Sequence, residues 1–188
     1  MPRTLLIVLI TAGIVVLFVI SRFINYDFEN KSKGVSKPVS AKEDIQFASW
    51  IPFTSINKSF TVKVPREPEH VSQSSPDTFN RYLKHYEIYA INGLDNTTYL
   101  IQEITFSNGL SPDKDPEILA NTLNDILTVS GSTLIESDEN ANFLGNKALS
   151  FTLDKDQKRT NGVIFVKEKT LYIISRTVNK KYQNQEDY

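Results

Sequence analysis

Gly162–Val178 reads GVIFVKEKTLYIISRTV. Two apolar runs, Gly162–Lys167 and Leu171–Val178, flank Glu168-Lys169, and this pattern predicts a tight β-hairpin. A strand with one wet face alternates apolar with polar residues, but here valine, isoleucine and aromatics fall on both faces of each run. These strands therefore belong in a sheet that is covered on two sides.

Outward from this hairpin the chain carries more strand-like runs. Ala148–Leu153 precedes it, and Arg81–Ile91 (RYLKHYEIYAI) and Thr98–Phe106 (TYLIQEITF) lie upstream, joined across an Asn92-Gly93 turn signal. Ser59–Val64 (SFTVKV) places Phe60, Val62 and Val64 on one face. Pro65 and Pro68 stop that strand, because proline has no N–H to give to a ladder. Ser132–Glu136 reads as a short strand and SDENANFLGN after it as a polar loop. One helix is marked at both ends. Asp115 is placed to cap it, Pro116 fits its first position and Glu117 suits the positive end of its dipole. Leu119, Leu123, Ile126 and Leu127, widened by Ile118, form its apolar stripe, and Gly131 suits a left-handed cap. The expected fold class is α+β, a mainly antiparallel twisted sheet with a helix packed on one face and further chain on the other.

The 188 residues fit one domain with accessories. A net charge of -1 with no block of like charge argues against a nucleic-acid partner. With no cysteine, disulfides, thiolate metal sites and cysteine nucleophiles are excluded, and two histidines are too few for a histidine-rich metal site. Leu5–Ile20 (LLIVLITAGIVVLFVI) is uncharged, and residues 4–24 read as one transmembrane helix with Arg22 snorkelling to the headgroups and Tyr26 in the interface. A cleaved signal peptide is the competing reading. The long apolar run opposes it, as does the lack of a small-residue cleavage pattern before Arg22. Residues 25–47 read as a polar linker and 48–188 as the domain. Counting positive charge, Arg3 on one side against Arg22, Lys31, Lys33, Lys37 and Lys42 on the other would keep that domain in the cytoplasm.

Trp50–Pro68, WIPFTSINKSFTVKVPREP, resembles the opening of the PsbP-like α/β/α superfamily, with Phe60, Val62, Pro65 and Pro68 matching its strand and double-proline corner. FLGNKALSFTL (Phe143–Leu153), with Gly145, and the closing hairpin Thr160–Val178 resemble later landmarks of that family in the same order. Asn57-Lys58 and Lys147 or Ala148 depart from it, standing where the family often carries glycine. The resemblance implies an α/β/α sandwich that is exported or tethered in a bacterial envelope and serves as a binding or assembly module. It places the domain on the periplasmic side of the inner membrane, against the charge count. It carries over no metal or chloride ligand.

The candidate sites are modest. Asp113, Asp115 and Glu117 lack the glycine and distal glutamate of a calcium loop, and helix capping accounts for two of them. Glu136, Asp138 and Glu139 read as a solvated acidic turn. His85 beside Glu87 could act as a base, but no nucleophile is indicated, and His70 sits in a polar stretch with no signal of its own. No catalytic residue, metal ligand or cofactor is therefore expected. Tyr82, Tyr86, Tyr89 and Tyr99, with Arg66 and Glu67 at the proline corner, form the candidate interaction surface; the tyrosines serve equally as cross-strand core pairs. The expected function is that of a non-catalytic, membrane-tethered binding or assembly factor with a protein partner in the envelope. The alternative is an anchored carrier of a small ligand or lipid.

Overall fold

The computed structural model describes residues 49–74, 83–93, 97–106 and 117–180. They form β1 (Ile51–Thr54), β2 (Thr61–Val64), β3 (Glu69–Ser74), β4 (Leu83–Asn92), β5 (Thr98–Phe106), α1 (Ile118–Ser130), β6 (Thr133–Phe143), β7 (Asn146–Lys155), β8 (Lys158–Lys167) and β9 (Thr170–Asn179). Seven strands make one sheet in the order β3-β4-β5-β9-β8-β7-β6, and every neighbouring pair is antiparallel. Among the described residues β1 and β2 pair only with each other. After β5 the chain runs through α1 to the far edge at β6, and three successive hairpins return it to the centre, where β9 lies against β5.

The two-sided strands read from the sequence occupy this centre. On one face Tyr86, Ile88, Ile104, Leu149, Phe151, Ile164, Leu171 and Ile173 pack with Ile118 and Leu123 of α1. The opposite face carries a second cluster of Ala148, Phe165 and Tyr172, with Phe60 of the β1–β2 hairpin against it. The hairpin is held over that face by an aromatic triangle, Phe53–Tyr89 at 5.3 Å, Phe60–Tyr89 at 5.6 Å and Phe53–Phe60 at 6.2 Å between ring centroids. Edge-to-face rings at these separations set the negative face of one against the positive rim of another.

Three expectations are corrected. The α+β sandwich gives way to a mainly β architecture, with 66% of the described residues in strands and 13% in helix. Much of the surplus strand falls on polar stretches, among them the loop reading of Ser137–Asn146, whereas Ser132–Glu136 already reads as a short strand. Glu69–Ser74, around His70, is edge strand β3, and Thr133–Phe143 is edge strand β6, with bulges between Leu134 and Glu136 and between Asp138 and Ala141. Both stretches are polar because an edge exposes much of its length to water, and the bulges break the alternation by which a strand is recognised. At the helix, Glu117 occupies the N-cap without a side-chain capping bond; Asp115 and Pro116 lie outside the described residues. The other end is as read: Gly131 takes φ 62° and its N–H bonds the Leu127 carbonyl at 2.9 Å.

Among the described residues no helix is long and apolar enough to cross a membrane. The apolar run 4–24 and the linker 25–47 lie outside those residues.

Candidate functional site

Antiparallel pairing places one set of polar side chains together on the hairpin-covered face of the sheet. Ser74 stands opposite His85, Ser72 opposite Glu87 and His70 opposite Tyr89, while Glu87 in turn stands opposite Glu103 of β5. Glu87 and Glu103 are 5% and 1% exposed, too deep for carboxylates unless they are fully bonded.

Both are. The Glu87 carboxylate takes the Nε2 of His70 on one oxygen and the Nε2 of His85 on the other, and Ser72 Oγ adds a bond of 3.2 Å. An ionised carboxylate only accepts, so both imidazoles present N–H at Nε2. His85 Nδ1 is then left to meet Ser74 Oγ at 2.9 Å, and the His70 ring stacks on Tyr89 with centroids 4.8 Å apart. Burial alone would raise the Glu87 carboxyl. The hydrogen bonds from His85 and His70, the charge of His85 and the bond from Ser72 outweigh it, so the group is held below its ordinary value.

Glu103 ties the hairpin down. It accepts Ser59 Oγ on one oxygen and Asn57 Nδ2, at 3.2 Å, on the other. The Ile56 N–H reaches the Tyr89 hydroxyl at 3.2 Å. Burial pushes the Tyr89 and Tyr172 hydroxyls upward, and the nearby Glu103 carboxylate adds to this in both.

Ser74, His85 and Glu87 form a hydroxyl–imidazole–carboxylate series, a connectivity that nucleophilic catalysis uses. Register supplies a simpler cause, because residues opposite and two apart on neighbouring strands meet whatever their chemistry. His70 and His85 also reach Glu87 from opposite ends, since their partners on the neighbouring strand lie to either side of the Ser72–Glu87 pair. Imidazoles arriving from two directions clamp a carboxylate and do not surround a single ion. Among the described residues no group of three histidine, aspartate or glutamate side chains is placed to hold a metal.

The sequence-derived interaction surface is dispersed. Tyr86 is 6% exposed in the α1-side core and Tyr89 is fully buried beneath the hairpin, so neither offers a surface to a partner. Tyr99 is half-buried and meets Trp50 edge-on at 5.5 Å. Arg66 and Glu67 are exposed between β2 and β3, and Tyr82 lies outside the described residues. The cluster around Glu87 escapes a sequence reading because His70 and Glu87 are 17 residues apart. The available signal was the alternation of His70, Ser72 and Ser74 through EHVSQS, which puts three polar side chains on one face.

No protein-family model matches the sequence, and no curated protein matches it. Among solved structures, PA94 of Pseudomonas aeruginosa, a protein of unknown function, aligns over 74% of this chain and 95% of its own at 10% identity, with a TM-score of 0.35. A likeness at that level assigns neither fold nor activity.

Proposed function

We propose that this chain is a membrane-tethered binding or assembly module of the bacterial cell envelope, with a protein partner engaged at an edge of the sheet. The tether is the uncharged run within residues 4–24, joined to the domain by the linker 25–47. The envelope placement draws on the PsbP-like order of sequence landmarks.

The observation that carries the partner is strand β6. Among the described residues no strand pairs with its outer edge, and along it Leu134 and Ile135 are 39% and 53% exposed, with Leu144 at the β6–β7 turn 83% exposed. Unpaired backbone groups beside exposed aliphatics suit an added strand, whereas Glu136, Asp138 and Glu139 and the two bulges restrict which strand can pair. The sheet faces are less suited to a partner, because α1 and the β1–β2 hairpin already lie on them.

Photo-crosslinking side chains at Ile135 and Leu144 of the full chain, in its native membrane, test the reading. One discrete protein adduct is expected from both positions and none from the exposed control Lys167. Adducts absent from both positions, together with a small molecule retained on purification, would favour the anchored carrier. A reporter fused after Tyr188 fixes the side of the membrane; activity of a cytoplasm-only reporter would overturn the periplasmic placement.

A further inference from the structure

One corner of the sheet differs in charge from the chain as a whole. On the hairpin side of the sheet, at the end where β5 begins and β9 finishes, Tyr99 stands opposite Arg176, which stands opposite Asn161. Arg159 and Lys180 lie one step further along and share Asp154, at 3.0 Å and 2.8 Å. Among the described residues three cations here meet one carboxylate, and in the adjoining β7–β8 turn exposed Lys155 and Lys158 outnumber Asp156, although the chain carries a net charge of -1. Trp50 packs on Tyr99 at this corner, immediately before β1.

We infer that this corner, built from Trp50, Tyr99, Arg159, Arg176 and Lys180, docks on the surface of an anionic bilayer. The inference rests on the tethered reading above. Two features name the occupant. The linker 25–47 that leads from residues 4–24 reaches the domain shortly before Trp50, which puts this corner at the tethered end of the domain's chain. The chemistry is that of an interfacial surface: tryptophan and tyrosine rings favour the headgroup region, and guanidinium and ammonium groups beside them pair with lipid phosphates. Arg176 is exposed and Trp50 half-buried, so both can reach a flat surface without unfolding the sheet. The corner adjoins the start of β6, where Thr133 stands opposite Asp154, and docking would leave Leu144 at the far end of that strand free for a partner.

Trp50 is the only tryptophan, so its emission reports on the corner without a label. The full chain is reconstituted into nanodiscs of neutral phosphatidylcholine, or of the same lipid with anionic phosphatidylglycerol, and quenching by lipids brominated near the headgroup is measured. Strong quenching is expected in the anionic discs only, and it should fall as salt rises. Arg176→Gln should lower the docking equilibrium constant about fivefold, the effect of one basic residue near an anionic surface. Lys167→Gln, at the opposite end of β8, should leave it unchanged. Extraction of the chain from membranes by alkaline carbonate would sink the tethered reading and this inference with it. A chain that stays in the bilayer while Trp50 shows the same quenching in both lipids, or is unaffected by Arg176→Gln, overturns the docking and leaves the tether standing.

Discussion

Glu87 is the residue on which the polar cluster turns, since β3 reaches β4 on this face through its carboxylate and through His85. Its folded carboxyl lies below the ordinary 4.5, so its contribution is complete above that pH and is lost as pH falls through the folded value. Glu87→Gln should therefore lower stability near neutrality by about 1–3 kcal/mol, the worth of hydrogen bonds to a charged group. Urea midpoints of the two proteins measured against pH should converge on the acid side; a constant gap would show that the charge is not the source. Asp154 offers a second test. Hydrogen bonds from Arg159 and Lys180 hold its carboxyl at about 2 against an ordinary 3.8. Carbon-13 titration should place its midpoint there, and Arg159→Gln should move it upward. Little of this was legible in the sequence. A histidine next but one to a glutamate was visible, but the second histidine and both serines arrive from another strand. In the turn between β1 and β2, Lys58 sits at φ 62°, the left-handed region that glycine adopts most easily.

At the scale of elements, strands buried on both faces were readable and edge strands were not. β8 and β9 declare themselves by continuous Val, Ile and aromatic content, and their turn falls at Glu168 and Lys169 as read. β3 does not, and β6 does so only over its first residues, because a strand that buries little gives no hydrophobic period to detect. Packing between strands provides the sharpest test. A Cβ added at Gly162 would lie 2.3 Å from the Cζ of Phe151, a ring that is 4% exposed and locked in the α1-side core. Gly162→Ala should cost about 1–3 kcal/mol, the usual penalty of overpacking. Combined with Phe151→Leu, the loss should be less than the sum of the single changes, because the smaller side chain vacates the contested space. Additive denaturation free energies would mean that the two residues are not coupled.

Across the whole molecule the seven strands form one continuous sheet, and the β1–β2 hairpin is attached to it through side chains, among them an aromatic triangle, the bonds to Glu103 and the Ile56–Tyr89 bond. An isolated two-stranded sheet is marginal, so the hairpin should open at lower free energy than the centre. Native-state hydrogen exchange should show this directly. Glu103→Gln should speed exchange in β1 and β2 by about tenfold, matching one weakened charged hydrogen bond, with β8 and β9 unchanged. Equal acceleration in both regions would show that the hairpin unfolds only with the sheet. By itself the sequence determined which segments are buried strands and where the helix ends, because periodicity and local backbone preference are written in neighbouring residues. Only the tertiary structure decided that the architecture is mainly β, that His70 and His85 clamp one carboxylate, and that Trp50 and Arg176 share a corner. Those outcomes depend on strand order and register, which bring together residues far apart in the chain.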